Sequence, residues 1–375
     1  MQFDLGFLGG GQLARMSIMA AQRMGLSCVS IDPADPSPAG MVAPGAVAKL
    51  NDPEALAGMI ANCSRVTLEN EFIPAGAIAE ALQLCHREPE ILTPGLETLA
   101  IIQDKLKQRE ALHKAGVPSP HAVAVQLDGT NAISKIGFPM VLKARFGGYD
   151  GRGTRMVENA REFADQASEI DDGNWLAEEF VPFKRELAVM VYRSHREFGC
   201  FPTVETSQKN FVCDVVFPAE TDASEIAKAA VEAIDGYGLF GVEIFETADG
   251  KLSVNEIAPR PHNTGHYTLD WGGPSQFEFH VRLSLGLPLP PLDGVPTAMA
   301  NLLGQLDARD WRSGLQAALE HDPGVAVHWY GKLKSSPGRK MGHINATGPD
   351  ALARVKSARD AFYAAWCQPE EAARR

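Results

Sequence analysis

The fold is decided by one stretch of sequence, Gly241-Val-Glu-Ile-Phe-Glu-Thr-Ala-Asp-Gly-Lys-Leu-Ser-Val-Asn-Glu256. Its strand-like halves flank Asp249-Gly250, which predicts a β-hairpin with a two-residue type I′ turn. In that register Glu243 faces Glu256 across the two strands, with Cβ atoms about 4.5–5.5 Å apart. Two facing carboxylates repel each other, so a cation between them is favourable, and such oxygen ligands favour Mg²⁺ beside nucleotide phosphates. Asn255 points to the other face of the strand unless a bulge or the strand end re-aims it.

A cationic, histidine-rich tract follows the hairpin and contains Arg260, His262, Asn263 and His266. Two prolines prevent this tract from continuing as an interior strand. We therefore expect a rigid loop that presents hydrogen-bond donors to an anion such as bicarbonate, a carboxylate or a phosphate. Zinc binding by the two histidines is disfavoured, because no third soft ligand lies nearby. A solvated hairpin with two exposed glutamates is the alternative, and it leaves the tract unexplained.

Upstream of the hairpin, residues 1–100 alternate between strand and helix patterns. Such alternation predicts an α/β domain with a parallel sheet covered by helices on both faces. Asp52 is a suitable N-cap for the second helix. The predicted elements are strands at Leu5–Leu8, Cys28–Ile31 and Val66-Thr67, and helices at Gln12–Met24 and Pro53–Ile60.

The sequence pattern of the remaining chain differs from that of residues 1–100. A charged helix is predicted from Leu96 to Lys114, closed by Gly116. Mixed α+β patterns follow, and the proline-rich segment Leu287–Leu292 resembles a linker before a smaller, strand-containing tail. We predict domains at residues 1–100, 101–290 and 291–375.

Two glycine-rich clusters are candidate phosphate sites. Gly9-Gly10-Gly11-Gln12-Leu13-Ala14 joins a strand to a helix, and Asp32 ends the next strand, a relaxed dinucleotide pattern. NAD, a sugar phosphate and a tight turn without a ligand all remain open for this cluster. The second cluster, Gly147–Thr154, lies between strands and is not a Walker A loop. Its backbone N–H groups can cover phosphates, and Lys143 adds a point charge; a surface hairpin is the alternative.

Composition limits the function classes. The net charge of −12 argues against a protein that binds nucleic acid mainly through its phosphates. The six scattered cysteines indicate reduced thiols, not a disulfide framework or a zinc site. An acidic residue near the start, and apolar runs too short to span a bilayer, predict a soluble, cytoplasmic protein.

Taken together, these motifs resemble the ATP-grasp superfamily and, within it, the family of N5-carboxyaminoimidazole ribonucleotide synthetases. The resemblance covers nearly the whole chain. The motifs that carry it are Gly9–Met16, Thr67–Glu71, Gln103–Lys105, Gly147–Gly153, Glu178–Val181, Arg185-Glu186, Asn255–Asn263, Ser275–Glu278, His328–Gly331 and Arg339–His343.

The resemblance implies an ATP-grasp fold with an N-terminal Rossmann-like (pre-ATP-grasp) domain and a small C-terminal domain. ATP would be clamped between two α+β subdomains, with Mg²⁺ on Glu243 and Glu256. Gln208 stands where family members often have a histidine. The implied ATP ligands are Lys105, Lys143, Gly148, Tyr149, Asp150, Gly151, Arg152, Gly153, Thr154, Glu178, Glu179, Phe180, Val181, Glu186, Gln208, Asn255 and Glu256.

For the other substrates the resemblance implies 5-aminoimidazole ribonucleotide and bicarbonate. The implied ribonucleotide ligands are Gly11, Gln12, Leu13, Glu71, Tyr149, Arg152, Arg339 and Lys340. The implied bicarbonate ligands are Arg260, His262, Asn263 and Lys340, and the implied catalytic residues are Tyr149, Asp150, Arg152, Lys340 and His262.

The implied reaction makes carboxyphosphate from ATP and bicarbonate and then carboxylates the amine of the ribonucleotide. Asp150 is the candidate base for the amine, and Lys340 the group that steadies the anion. The resemblance also implies a homodimer whose product passes to a mutase. Three rivals remain: a sibling ligase forming formyl phosphate or an aminoacyl phosphate, an NAD-dependent dehydrogenase, and a non-catalytic nucleotide sensor.

Overall fold

The computed structural model describes residues 2–126, 129–148, 153–166, 170, 173–306, 308 and 310–367. The chain begins with a five-stranded parallel sheet in the order β3-β2-β1-β4-β5, which confirms the predicted α/β start. Its strands are β1 Phe3–Leu8, β2 Cys28–Asp32, β3 Gly45–Val47, β4 Cys63–Leu68 and β5 Leu92–Thr93. Its helices are α1 Gln12–Arg23, α2 Pro53–Ile60 and α3 Ala75–Leu84, with a short 3₁₀ helix at Pro89–Ile91.

Both faces of this sheet are buried, because its strands are apolar on both sides. One face packs with α2, α3 and the start of the next helix into a continuous core. The other face packs against α1 and against Val281 of a helix much later in the chain, α9 (Gln276–Leu285). The predicted cap of α2 is confirmed: the Asp52 carboxylate accepts bonds from the amides of Glu54 and Ala55.

The single helix predicted from Leu96 to Lys114 is wrong. The chain forms α4 (Leu96–Gln103) and α5 (Lys105–Lys114), separated by Asp104 in an extended conformation. The Asp104 carboxylate accepts from the Leu106 amide as the N-cap of α5, and it forms a two-pronged ion pair with Arg145. A side chain that satisfies the first free N–H groups of a helix starts a new helix instead of continuing the old one.

The middle of the chain contains a four-stranded antiparallel sheet in the order β6-β9-β7-β8. This sheet carries the second glycine cluster between β7 and β8, as predicted. The elements are β6 Ala122–Ala124, α6 Thr130–Lys135, β7 Met140–Ala144, β8 Thr154–Val157, α7 Ala160–Gln166 and β9 Trp175–Glu179.

A nine-stranded antiparallel sheet follows, in the order β15-β14-β10-β12-β13-β16-β18-β17, with β11 paired to β10. Because β13 pairs with β16, the sheet crosses the predicted boundary at residue 290, and the predicted domain limits stay predictions. No helix in the described ranges is long and apolar enough to cross a membrane. The elements are β10 Phe183–Arg193, β11 Phe198–Cys200, β12 Val204–Lys209, β13 Val212–Pro218, α8 Ser224–Ala233, β14 Gly238–Thr247, β15 Leu252–Ala258, a 3₁₀ helix Asn263–Leu269, β16 Thr297–Leu303, α10 Trp311–His321, β17 Ala326–Trp329, β18 Lys340–Thr347 and α11 Ala351–Trp366.

The two capping aspartates provide a test of the break between α4 and α5. Asp104→Ala removes a cap and leaves Arg145 without its carboxylate, so the free energy of unfolding should fall by about 3 kcal/mol. Asp52→Ala removes a cap that has no arginine partner, and the loss should be about 1 kcal/mol. Urea unfolding followed by tryptophan fluorescence measures both, and equal losses would contradict the role assigned to the Asp104–Arg145 pair.

Candidate active site

The centre of the candidate site is the β14–β15 hairpin, in which Glu243 lies opposite Glu256 as predicted. The predicted two-residue turn is wrong. Three residues, 248–250, connect Thr247 to Lys251, and Gly250 has the left-handed backbone (φ 79°) that such a loop needs at its last position. Near the turn the pairing is therefore shifted by one residue from the predicted register.

A β-bulge restores the register at the glutamates. Ile244 pairs with Val254, whereas Glu243 pairs with Glu256, so Asn255 is the extra residue in β15. The bulge re-aims the Asn255 side chain toward the site. Its Oδ1 accepts from Lys143 Nζ at 3.2 Å, and its Nδ2 lies 3.5 Å from Glu243 Oε2.

The facing glutamates are in different electrostatic states. Burial raises the pKa of Glu243 to about 7, with further contributions from the negative charges of Glu256 and Glu186. Burial also opposes ionisation of Glu256, but Lys105 forms an ion pair with it and lowers its pKa below the ordinary value. Among the described residues no group of three or more His, Cys, Asp or Glu side chains is arranged as a metal site. Two facing carboxylates are a ligand set that suits Mg²⁺ shared with phosphates.

Two lysines face this pair from different elements. Lys105 is the first residue of α5, and Lys143 lies on β7. Lys143 forms an ion pair with Glu178 of β9, which is 2% exposed. Burial would raise the pKa of Glu178, but Arg109 and Lys143 together lower it to about 2. Glu178 therefore remains an anion and holds Lys143 in place.

Glu186 on β10, one of the implied ATP ligands, lies beside Gln208 on β12. Burial raises the pKa of the Glu186 carboxyl, and a hydrogen bond with the Gln208 side chain offsets part of that effect. The glutamine thus contacts Glu186 at the position where the resemblance expects a histidine. Phe245, Asn255 and Glu243 also line this pocket. Asn255 is shared with a neighbouring pocket that contains Lys105 and Lys143, here called the lysine pocket.

The tract after β15 forms the other side of the site. Arg260 makes a two-pronged ion pair with Glu71, which follows β4, including an Nη2–Oε1 bond of 2.7 Å. His262 Nε2 lies 3.6 Å from Glu243 Oε1, and its Nδ1 lies 2.9 Å from the Thr264 hydroxyl oxygen. Burial, followed by the charges of Arg260 and Lys340, lowers the pKa of His262 well below its ordinary value, so the ring is neutral.

Lys340, at the start of β18, lies within electrostatic reach of Glu243 and His262. Burial has the larger effect on both groups: it raises the pKa of Glu243, which the charge of Lys340 partly offsets, and it lowers the pKa of His262, to which Lys340 adds. Arg339 is exposed, and its guanidinium donates to the carbonyl of Lys334. The ribonucleotide-binding role of Arg339 stays a prediction.

Asn263 and His266 are the buried members of the tract, and both side chains form hydrogen bonds within the protein. Asn263 exchanges two amide hydrogen bonds with Asn301 of β16, at 3.0 and 2.7 Å. His266 Nδ1 forms a hydrogen bond with the Gln276 side chain. The same side chain accepts from the His262 amide and donates to the His262 carbonyl. The bicarbonate role of Asn263 stays a prediction, and these contacts make Asn263 part of the tract's support.

Two acidic side chains of the protein itself, Asp32 and Glu69, contact the first glycine cluster. Both Asp32 oxygens accept backbone N–H groups, from Gly10 and Ala34, each at 2.8 Å, so the acid needed for an NAD ribose is engaged. Glu69 Oε1 accepts from the Leu13 amide at 3.4 Å, and a Cβ added to Gly11 would lie 2.2 Å from that oxygen. The helix end expected to meet the ribonucleotide, Gly11 to Leu13, therefore already faces a carboxyl.

The remaining predicted ligands divide into two groups. Tyr149, Asp150, Gly151 and Arg152 lie outside the described residues. Those that are described lie at or near the ends of β7, β8 and β9. They are Gly148, Gly153, Thr154, Glu179, Phe180 and Val181, and their roles stay predictions.

Sequence reasoning missed two buried polar residues of α5, Gln108 and Arg109. They follow Lys105 by three and four positions, so they lie on the same face of the helix. The sequence could have indicated them, because both are polar residues on the same helix face as Lys105, a predicted ATP ligand. The apolar Leu106 and Leu112 flank them and indicate that this part of the helix is buried.

Comparisons with known proteins find relatives along nearly the whole chain. Three family models match: the ribonucleotide synthetase pre-ATP-grasp domain at residues 2–103, the ATP-grasp domain at 110–277 and the phosphoribosylaminoimidazole carboxylase C-terminal domain at 297–357. The chain is 39% identical to the N5-carboxyaminoimidazole ribonucleotide synthase of Synechococcus elongatus, over 98% of this chain and 96% of that protein. It is 36% identical to the phosphoribosylaminoimidazole carboxylase of Saccharomyces cerevisiae, over 91% of this chain but only 63% of that longer protein.

Solved structures give the same result. A carboxyaminoimidazole ribonucleotide synthase from Aspergillus clavatus complexed with ATP superposes with a TM-score of 0.87 and 32% identity, over 97% of this chain and 99% of that one. The enzyme from the same organism in complex with ADP and 5-aminoimidazole ribonucleotide has a TM-score of 0.87 and 31% identity, over 96% of this chain and 98% of that one.

Because the pKa of Glu243 is raised and the pKa of Glu256 is lowered, their contributions to the stability of the fold should change with pH in opposite directions. The raised pKa of Glu243 stabilises the fold fully below the ordinary value of 4.5, and this stabilisation is lost as the pH rises through about 7. Glu243→Gln should therefore raise stability at pH 8 by about 1–2 kcal/mol, less than the full shift implies because part of the side chain is exposed to solvent. The difference in stability between the variant and the parent should shrink as the pH falls toward 4.5.

Glu256→Gln is the matched control with the opposite sign. The lowered pKa of Glu256 contributes stability above its ordinary value, so this variant should be less stable than the parent at pH 8. Thermal unfolding midpoints between pH 5 and 9 measure both effects. A change of the same sign in both variants at pH 8 would contradict the assigned states.

Proposed function

The chain belongs to the family of N5-carboxyaminoimidazole ribonucleotide synthases, and we propose that it catalyses the reaction for which that family is named. In this reaction ATP, bicarbonate and 5-aminoimidazole ribonucleotide give ADP, phosphate and the N5-carboxylated ribonucleotide. The protein is accordingly an ATP-dependent carbon–nitrogen ligase.

One observation carries the proposal at the level of this chain: the cation-binding pair adjoins the anion-binding tract. Glu243 belongs to both, since it faces Glu256 across the hairpin and lies 3.6 Å from His262 Nε2. A phosphoryl group held at the lysines and the carboxylate pair therefore lies next to an anion held by Arg260 and Lys340. Phosphoryl transfer needs positioning and charge neutralisation more than covalent help from the protein, and this arrangement provides both.

The carboxylate pair fits Mg²⁺, because it consists of two hard oxygen ligands beside two phosphate-binding lysines. When bound, the ion neutralises phosphate charge. Lys105 and Lys143 bind phosphate oxygens, and Glu178 keeps Lys143 oriented. In the first step a bicarbonate oxygen forms a bond to the γ-phosphorus of ATP while the bond to the leaving ADP oxygen breaks, giving carboxyphosphate.

In the second step the ribonucleotide amine forms a bond to the carboxyl carbon, phosphate leaves, and the amine loses a proton. Neutral His262 orients bicarbonate by hydrogen bonding without adding charge, whereas Lys340 steadies the anion. Arg260 is held by Glu71, so its free edge has a defined direction. The proposed base, Asp150, lies outside the described residues.

The family resemblance supports three further proposals: the protein is a homodimer, it works in the cytoplasm, and its product passes to a mutase that relocates the carboxyl group. Sedimentation analysis tests the first. A monomer with full activity would remove the dimer from the proposal without affecting the reaction.

The reaction is tested by measuring ADP release with each substrate omitted in turn. We expect release only when bicarbonate and 5-aminoimidazole ribonucleotide are both present. Equal release without either substrate would overturn the proposal, and stimulation by formate or glycine in place of bicarbonate would favour a sibling ligase. Absence of turnover in the presence of ADP binding would favour a nucleotide sensor, and nicotinamide binding would favour the dehydrogenase.

Lys340 provides a residue-level test. Lys340→Met removes a cation from the anion side of the site, so the rate constant for turnover should fall roughly 100-fold. The affinity for ADP, which is bound on the other side of Glu243, should not change. Lys334→Met removes an exposed lysine from the preceding loop and should behave like the parent. A loss of ADP affinity in Lys340→Met equal to its loss of turnover would contradict the assignment.

A further inference from the structure

β15 is an edge strand of the nine-stranded sheet, so within the described part of the chain one side of its backbone has no neighbouring strand. Unpaired strand edges leave N–H and C=O groups that need other partners. β15 is also the strand that carries Asn255 and Glu256, and it contains the bulge. A bulge on an edge strand has partners on one side only, so its shape depends on whatever covers the other side.

Helix α5 and the residues after it cover this edge with polar groups. Ile257 donates its amide to Gln108 Oε1 at 3.0 Å, and Gln108 Nε2 lies 3.4 Å from the Ile257 carbonyl. The glutamine thus pairs with both backbone groups of one residue, as a neighbouring strand would do. The Val254 amide donates to the Pro118 carbonyl at 2.8 Å, just beyond α5.

Arg109 holds the bulge itself. Its Nη2 donates to the carbonyl of Asn255, the bulged residue, at 2.6 Å, and its Nη1 donates to the Val254 carbonyl at 3.3 Å. Its Nε bonds to Glu178 at 3.0 Å, and Glu178 holds Lys143. One guanidinium, 4% exposed, therefore joins α5, the bulge of β15 and the small sheet.

We propose that Gln108 and Arg109 are positioning residues, which hold the bulged edge of β15 so that Asn255 and Glu256 are presented to the metal-bound nucleotide. The inference rests on the proposed function for the identity of the nucleotide. Both side chains line the lysine pocket, but their hydrogen bonds go to the backbone of β15 and to Glu178, so both act through residues that bind the nucleotide. Lys105, one turn before Arg109 on α5, contacts Glu256 directly, so the same helix supplies a ligand and fixes the strand opposite it.

The physical reason is the geometry of the guanidinium. Its donors form a planar fork that can reach a carboxylate and two carbonyls at once, whereas a lysine ammonium is a single point charge. Arg109→Lys therefore keeps a positive charge beside Glu178 but loses the bonds to the bulge. Supports of metal ligands typically contribute about 10-fold to 100-fold in metal affinity or activity.

The test is calorimetric binding of ADP to the full chain, with and without Mg²⁺. Arg109→Lys should weaken ADP binding about 10-fold in the presence of Mg²⁺ and much less in its absence. A general loss of folding would lower both affinities alike. Arg354→Lys is the matched control, since Arg354 also binds a carboxylate, Asp322, and a strand carbonyl, Thr347, far from the site. It should leave both affinities unchanged.

Gln108→Met keeps the inference testable if Arg109→Lys does not fold, because it leaves no buried charge unpaired. It should speed hydrogen exchange of the Ile257 amide and weaken Mg²⁺-dependent ADP binding in the same direction. The inference is overturned if the folded variants bind ADP with the Mg²⁺ dependence of the Arg354→Lys control. A parent that binds ADP with Mg²⁺ but shows no bicarbonate-dependent turnover removes the proposed function and leaves this inference to be decided by the same binding data.

Discussion

The candidate site depends on one electrostatic constraint, the opposition of Glu243 and Glu256 on neighbouring strands. Two carboxylates in a partly buried hairpin repel each other, and the chain responds differently at each. Lys105 compensates Glu256, whereas Glu243 has a pKa raised to about 7 and lies next to a neutral histidine. The surrounding cations come from α5, β7 and β18, so several elements supply positive charge that offsets the repulsion between the two carboxylates of the hairpin.

The sequence predicted this centre better than it predicted the local path of the chain. The prediction that the two glutamates face each other was right although the predicted turn was wrong. The reason is that a three-residue loop and a one-residue bulge shift the register by opposite amounts. A dipeptide such as Asp249-Gly250 is compatible with more than one loop length, and a bulge has no sequence signature of its own. The bulge was foreseen only as a condition for Asn255 to reach the site.

Other errors have similar physical causes. The pattern from Leu96 to Lys114 is helical throughout, and the break at Asp104 arises from a partner, Arg145, that is distant in sequence. Asp32 fits a dinucleotide motif, but the Gly10 and Ala34 amides occupy its carboxylate. Contacts between distant segments decide such cases, and periodicity contains no information about them. The roles of individual ligands were available mainly through family resemblance.

The placement of α9 affects the order in which the protein can fold. The face of the N-terminal sheet formed by Leu5 and Phe7 is completed by Val281, and Thr67 of β4 lies 3.0 Å from the His280 ring through its hydroxyl. Chains emerge from the ribosome N-terminus first, so this apolar face has α1 but lacks α9 until residues 276–285 have been synthesised. The core of the first part of the chain to be translated is therefore completed by a helix from much later in the sequence.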